Sequence, residues 1–491
     1  MKVQFSRCYL YKGNLRYRNN RVVYNKLTNS NVILTPTLRK LCKFVASKKE
    51  PVLIFPEKNK RQLAISYLKV YLIVCSFFAF GIISAQDVLL LREDTVNINI
   101  PAAEQRFVNM NLTLLINQYN VQIAQANYLQ TKLWYNPNLT YGQTLYNQSN
   151  KLFFSSDYPD GQVDHTFQLQ QLLTIGGRHS ATAKLAKVGV TQSEFQLADL
   201  LRSLKYQLYT DISDLYNNQS LVSMYVDEEG KIAHLVESTN AQYKLGNASG
   251  NDVIRLEAQL QDIVAQEITC RQAISTDEQD LGILLVYPGN TYVVVKDLGI
   301  PTGTIPPYLS ILDSAKNNRP DLKLAYAGVK YSEQNLKLQH STAVPDLSLG
   351  IDNIGAGSVI PNYWGITASM DLPFFNRNQW NTKAANEEKK QAELNDSLAL
   401  YSVMNQVTAS FTNLYRINHQ YAQIDSHYES DLDEMMDNAV KNYDKRYINL
   451  LDLLSQISTY IDGKTNLINM KVQYFNAIHS INYTTGIDII K

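Results

Sequence analysis

Seven histidines, at 165, 179, 234, 340, 419, 427 and 479, are the side chains best suited to hold a metal or move a proton. They are scattered, and no H-E-x-x-H, G-x-S-x-G or phosphate-loop pattern accompanies them. His419 and His427 lie eight apart on one expected helix face, without a third ligand, and read as ordinary helix residues. Met435-Met436 offers soft sulfur donors but reads as packing. Gly176-Gly177 reads as a turn from strand to helix rather than a phosphate cradle. Cys8, Cys42 and Cys75 precede residue 85, which leaves Cys270 alone beyond it and excludes a disulfide framework or cysteine zinc site there. No catalytic, cofactor-binding or metal site is expected.

If the chain does no chemistry, its organisation has to carry the function. Residues 1–69 hold sixteen Lys/Arg against Glu50 and Glu57, and residues 70–85 carry no charge. The remainder, 86–491, holds 30 basic and 43 acidic residues. The near-neutral total therefore averages two unlike parts. Val70–Phe80 is a short apolar run behind Lys58, Lys60, Arg61 and Lys69, and Ile83-Ser84-Ala85 follows it. That is the pattern of an export signal cut after Ala85. Lipidation of Cys75 is disfavoured because Val74 stands where a small residue is wanted. The basic stretch 1–69 is read as a mis-called start, and no nucleic-acid partner is expected from it.

After residue 85 the sequence repeats itself at an offset near 200. Asn136-Pro137-Asn138-Leu139 resembles Val344-Pro345-Asp346-Leu347, and Tyr243-Lys244-Leu245-Gly246 resembles Tyr443-Asp444-Lys445-Arg446. Asp252-Val253-Ile254 matches Asp452-Leu453-Leu454. The series Leu201, Leu204, Leu208, Ile212, Leu215 has the spacing of Leu400, Val403, Val407, Phe411, Leu414. This divides the chain into a first repeat, 86–300, and a second, 301–491.

Each repeat holds two segments of period-two alternation, about 136–147 and 163–172, then 344–353 and 363–372. Each is about ten residues, enough for a tilted strand to cross hydrocarbon. Tyr135, Tyr146, Tyr363, Phe374 and Phe375 lie near the segment ends, where interfacial aromatics sit. A half-buried soluble sheet would alternate in the same way; the export signal favours a barrel. Four strands cannot close one, and open edges are not viable in lipid. Twelve strands from three copies can, although the strand count alone leaves other multiples open.

Ala181–Leu245 and Asn381–Lys445 are each expected to be one helix of roughly 97 Å, packing side by side as coiled coils do. The cluster 245–251 breaks the first into a hairpin. Asp252 opens a returning helix that ends near Leu285, at a belt rich in proline, and a further helix covers Pro320–His340.

These residues resemble the TolC-like outer-membrane efflux channels over about residues 98–486. The resemblance is carried by Asn136-Pro137-Asn138-Leu139, the turn 171–178 with Gly176 and Gly177, its partner 371–379 with Pro373, Phe374 and Asn376, and the tip at 243–254. It implies a mainly α protein with a transmembrane β-barrel: long antiparallel helical hairpins, four strands per protomer and a twelve-stranded barrel in a homotrimer. It also implies a periplasmic adaptor contacting Leu245, Gly246, Asn247, Ser249 and Arg446, an inner-membrane pump, and outer-membrane lipid. Tip acids of the second repeat would gate the narrow end, which points to Asp452; Asp252 is read beside it as a second acidic ring, with simple helix capping as the alternative for both. Ser455 and Arg446 depart from the pattern, which has an acid and a glycine there. The run Leu372–Gln379 is most like the heavy-metal efflux branch. The expected function is a passive outer-membrane duct for a tripartite efflux or type I secretion system, extending into the periplasm. The alternative is a periplasmic coiled-coil adaptor without a barrel, which leaves the four alternating segments unexplained. A secreted enzyme has no motif in its favour.

Overall fold

The computed structural model describes residues 94–490 apart from 144, 149–150, 155–164, 290, 302 and 356–362, all within the unit Leu90–Lys491. The basic stretch, the apolar run and the cut after Ala85 lie outside the described residues.

Strand β1 (Asp94–Ile98) leads into helix α1 (Ile100–Met110), with Pro101 in its first turn, where its missing N–H costs nothing. The chain kinks at Asn111 and continues as α2 (Leu112–Gln130). The Asn111 side chain makes the kink by accepting from the Leu114 N–H at 3.0 Å and donating to the Leu284 carbonyl at 3.0 Å. Strands β2 (Asn138–Gln143), β3 (Tyr146–Asn147), β4 (Leu152–Phe153) and β5 (His165–Leu173) follow. Next come α3 (Arg178–Lys244), α4 (Gly250–Leu285) and β6 (Thr291–Val295).

The second half repeats the plan with α5 (Tyr308–Asn318), α6 (Pro320–Thr342), β7 (Leu347–Ile354) and β8 (Tyr363–Met370). It ends with α7 (Gln379–Tyr421), α8 (Tyr428–Asp444) and α9 (Leu450–Thr485). The kink between α5 and α6 falls at Arg319, the counterpart of Asn111. Its buried guanidinium bonds Asp321 at 2.9 and 2.5 Å and the Thr484 carbonyl at 3.3 Å. The carboxylate and carbonyl are what allow a charge to be buried there.

Helix α3 has 67 residues, about 100 Å of rise. Its seam residues Leu208, Ile212 and Leu215 are fully buried, while Leu201 at the series' start is exposed. The second copy behaves alike, with Val403, Val407 and Leu414 buried and Leu400 exposed. The returning helices α4 and α9 are 36 residues each.

One expectation fails. Asn381–Lys445 is not a single helix but is interrupted between Tyr421 and Tyr428. The Asp425 carboxylate accepts the His427 backbone N–H at 2.9 Å, and the Ser430 hydroxyl donates to the His427 carbonyl at 2.7 Å. Asp425 thus takes a backbone N–H that a continuous helix would use, while the His427 carbonyl still accepts the Asp431 N–H of α8 at 2.9 Å.

The parallel pair β1–β6 closes a belt core with Phe107, Leu208, Ile212, Leu281, Leu285 and Phe475. A second core, below the belt along α3, α4, α8 and α9, holds Ile232, Leu235, Leu256, Met436, Leu453 and Ile457. Among the described residues, no helix is long and apolar enough to cross a membrane.

Candidate functional site

Three features could serve transport: the sheet, the lateral edges of the helices, and the hairpin tips. The sheet is antiparallel, in the order β2-β5-β7-β8, with β2 and β8 as its edges. Its register puts Leu139, Leu169, Ile351 and Ile366 in one cross-strand row. The next row, on the opposite face, is Thr140, Gln168, Asp352 and Gly365, and the one beyond Leu139's row is Asn138, Gln170, Gly350 and Thr367. One face is thus mostly apolar and exposed, from Leu169 at 44% to Ile366 at 86%. The other is polar and bonded across strands: the Thr367 hydroxyl donates to Asp352 at 2.9 Å. An apolar face this large on an open sheet is what hydrocarbon, not water, would cover.

The helices beside the sheet run in the same lateral order, α2 against α3, α3 against α6, α6 against α7. Both outer members carry unpartnered apolar stripes: Leu112, Ile116, Tyr119 and Ile123 on α2, and Leu394, Leu398 and Tyr401 on α7. Sheet and helices therefore end in the same two open edges.

The tips are two versions of one turn. After α3, the Asn247 N–H bonds the Gln242 carbonyl at 2.9 Å and the Gly246 N–H bonds the Tyr243 carbonyl at 2.9 Å. After α8, the Tyr447 N–H bonds the Asn442 carbonyl and the Arg446 N–H the Tyr443 carbonyl, both at 2.8 Å. This is the Schellman arrangement, which needs a left-handed residue at its centre. Gly246 has φ +75° and Arg446 has φ +62°. The arginine that departs from the family pattern thus adopts glycine's conformation. Its guanidinium donates to Gln242 Oε1 of the other tip at 2.7 Å.

Ser249 and Asn449 cap the returning helices. The Asn449 Oδ1 accepts the Asp452 N–H at 3.0 Å, and the Asp452 carboxylate accepts from Asn449 Nδ2 at 2.8 Å. Asp452 is exposed beside this cap. Asp252, half-buried, makes no side-chain hydrogen bond among the described residues. Above the turns, Thr239 and Tyr443 hydroxyls lie 3.4 Å apart, His234 is 3.8 Å from Asp444, and Lys231 is 3.5 Å from Asp437. With Arg446–Gln242, they tie the α8–α9 hairpin to α3.

Residues 311–477 match the sequence profile of the family described as outer membrane efflux protein. That stretch, about a third of the chain, resembles the outer membrane efflux proteins. The fold extends the likeness well beyond the matched stretch. The Campylobacter jejuni CmeC outer membrane channel aligns with a TM-score of 0.64 at 16% identity, over 80% of this chain and 86% of that one. The open-state Neisseria gonorrhoeae MtrE outer membrane channel aligns with 0.61 at 15%, over 80% and 89%. The Vibrio cholerae outer membrane protein VceC gives 0.61 at 15%, over 79% and 96%. No curated protein matches the sequence. The mainly α architecture with its four-stranded sheet is thus the fold of these outer membrane channels.

The strand-to-helix turns position the sheet on the helices. Gly176 and Gly177 both have positive φ, and a Cβ on Gly176 would lie 2.7 Å from the Val344 side chain. The Arg178 guanidinium pairs with Asp346, linking the start of α3 to the chain entering β7. On the other side, Asn378 at φ +57° takes the place of Gly177. Asn376 Oδ1 accepts the Asn378 N–H at 3.1 Å, and Asn378 Nδ2 donates to the Gln339 carbonyl at 2.8 Å. Pro373, Phe374 and Phe375 form the loop leading in, with Phe375 96% exposed.

Sequence reasoning missed the Arg178–Asp346 pair, the Arg446–Gln242 bond and the buried His479. His479 stacks on Tyr209 with ring centroids 3.7 Å apart, and the Tyr209 hydroxyl donates to Glu104. Burial pushes the His479 imidazole down to about 4. The unfolded chain, with an ordinary histidine, binds its proton first. His479 therefore costs nothing above pH 6.5 and destabilises the fold as pH falls toward 4, by about 3 kcal/mol in the limit. Asp211, which burial pushes up to about 6, acts in the opposite sense. The test is accordingly a difference. His479→Phe keeps the stack, and its thermal midpoint, followed by circular dichroism, is expected to gain on wild type as pH falls from 6.5 to 4. A gap that stays constant over that range would contradict the assignment.

Proposed function

We propose that this chain is the outer-membrane component of a tripartite efflux or type I secretion system, a passive duct that carries substrates delivered by an inner-membrane pump. The observation that carries it is the pairing of two incomplete layers: a sheet apolar on one face and open at both edges, on helices open at the same edges. Three copies, each adding four strands, make a closed barrel of twelve with a polar lumen, continued by the helical walls. The periplasmic adaptor scaffold fits less well, since it gives the apolar sheet face no solvent to match.

In this reading the division into repeats 86–300 and 301–491 stands, and the leader through Ala85 directs export. The tips at 243–252 and 443–452 form the periplasmic end. Asp252 and Asp452 ring the opening, while Leu245, Gly246, Asn247, Ser249 and Arg446 meet the adaptor. The metal, drug or protein identity of the cargo rests with the pump.

The experiment is a planar-bilayer recording. Wild-type protein is expected to show small, cation-preferring steps. Asp452→Ala removes both the acid and half of the reciprocal cap, and should raise the conductance severalfold. A variant with wild-type conductance and ion preference would remove Asp452 from the gate.

A further inference from the structure

At the level where strands give way to helices, the surface changes character. Helix α2 has no charged residue anywhere between Leu112 and Gln130. Immediately beyond it, and at the other three junctions, stand Lys132, Lys184, Lys337, Arg377 and Lys383, all exposed. The acids there do little to offset them. Asp346 is taken by Arg178, and Glu387 is taken by Lys390 at 3.0 Å. Asp371 and Glu388 are the other acids in these stretches, and Glu388 accepts from Asn335 at 2.9 Å. Exposed apolar side chains are interleaved with the cations: Trp134 and Tyr135 next to Lys132, Phe374 and Phe375 next to Arg377, and Trp380 with Lys383 over its ring at 5.3 Å.

These apolar groups continue the sheet's exposed row. Trp364, Ile366, Ala368 and Met370 share one face of β8, and Leu372 and Phe374 follow in the same alternation. The collar therefore begins where the hydrocarbon-facing surface ends. Rings that prefer the headgroup zone, next to cations on long flexible stems that make no salt bridge among the described residues, suit a surface of negative charge. Given the barrel reading above, on which this rests, we propose that the collar is a docking surface for anionic phospholipid headgroups of the periplasm-facing leaflet. A lysine or arginine near such a surface favours it by about fivefold per charge, and the attraction fades within a Debye length.

The test uses the assembled protein in vesicles mixing phosphatidylcholine with phosphatidylglycerol, one or the other brominated on its chains. The three native tryptophans are replaced by phenylalanine, and a single reporter is introduced as Phe375→Trp or, at the middle of the sheet, Ile366→Trp. Quenching at Phe375→Trp is expected to show phosphatidylglycerol enriched about fivefold at low salt, with the ratio approaching one at high salt. Adding Arg377→Gln and Lys383→Gln should cut the enrichment to less than half. At Ile366→Trp the ratio should be near one throughout. A ratio near one at Phe375→Trp, with Ile366→Trp quenched, overturns the lipid preference and leaves the barrel standing. No quenching at Phe375→Trp by either lipid means that protein covers the collar, and also overturns it. If neither reporter is quenched, the barrel reading falls as well.

Discussion

Ile116→Glu is expected to abolish assembly of the trimer while leaving the protomer helical. Ile116 lies in the middle of the α2 stripe, in a helix with no charge of its own to answer a carboxylate. Leu112, Ile116, Tyr119 and Ile123 are spaced 4, 3, 4, one face of a helix, and all are exposed in a single copy. Leu394, Leu398 and Tyr401 show the same spacing on α7, at the opposite edge. A head-to-tail ring brings the first stripe of one copy against the second stripe of the next. Each seam would then bury an unpaired carboxylate, at several kcal/mol, and a closed trimer has three such seams. Ile116→Val removes one methylene from the same place and should cost about 1 kcal/mol per seam or less, leaving trimers intact. Light scattering of detergent-purified protein separates the outcomes. Trimers of Ile116→Glu at wild-type concentration would show that α2 does not form the seam.

The same stripes show what a sequence discloses and what it does not. Leu208, Ile212 and Leu215 were legible because their spacing reports a helix face, and their burial follows from any neighbour along that face. The four alternating segments were legible for a similar reason: Leu139, Leu169, Ile351 and Ile366 each lie on the apolar side of their own segment because the strand period is two, and the register then brings them into one row. Helices α1 and α2 were not anticipated. A kink held by one asparagine, with its bonds to Leu114 and Leu284, has no periodic signature, and one of those partners is 173 residues away. The break at 422–427 has neither proline nor glycine, so only the backbone bonds of Asp425 and Ser430 reveal it.

The candidate site divides along the same line. Gly176 and Gly177 announce a turn because glycine is the residue that turns require. Asn378 does the same work in the second repeat less visibly, because asparagine tolerates the left-handed region without being confined to it. Asp452 reads from sequence as a first-turn acid. The reciprocal bond to Asn449 is then a local consequence, whereas a role at the narrow end depends on where three copies bring it. Arg178–Asp346 and Arg446–Gln242 join residues 168 and 204 positions apart, beyond the reach of any local rule.

Arg446→Gly is expected to raise channel conductance and, at the same time, to leave the protein more stable than Gln242→Ala, which loses the same bond without relieving the turn. The two effects separate because Arg446 does two things. Its backbone sits at φ +62°, which costs a residue with a Cβ about 1 kcal/mol or more relative to glycine. Its side chain reaches across to Gln242 and is one of four polar links that join α8 and the turn after it to α3. The other three are longer, from 3.4 to 3.8 Å. An exposed hydrogen bond to a charged donor contributes on the order of 1–2 kcal/mol, enough to shift a closed–open equilibrium about tenfold. Gln242→Ala removes the same bond without touching the strained backbone. It should raise conductance to a similar degree with no gain in thermal midpoint, and the double variant should conduct no more than either single one. Arg446→Ala should open the tip but keep the strain. Were Arg446→Gly to conduct like wild type while Gln242→Ala did not, the bond would have to be dropped as a latch, and Arg446 would be left as a strained turn residue with no part in gating.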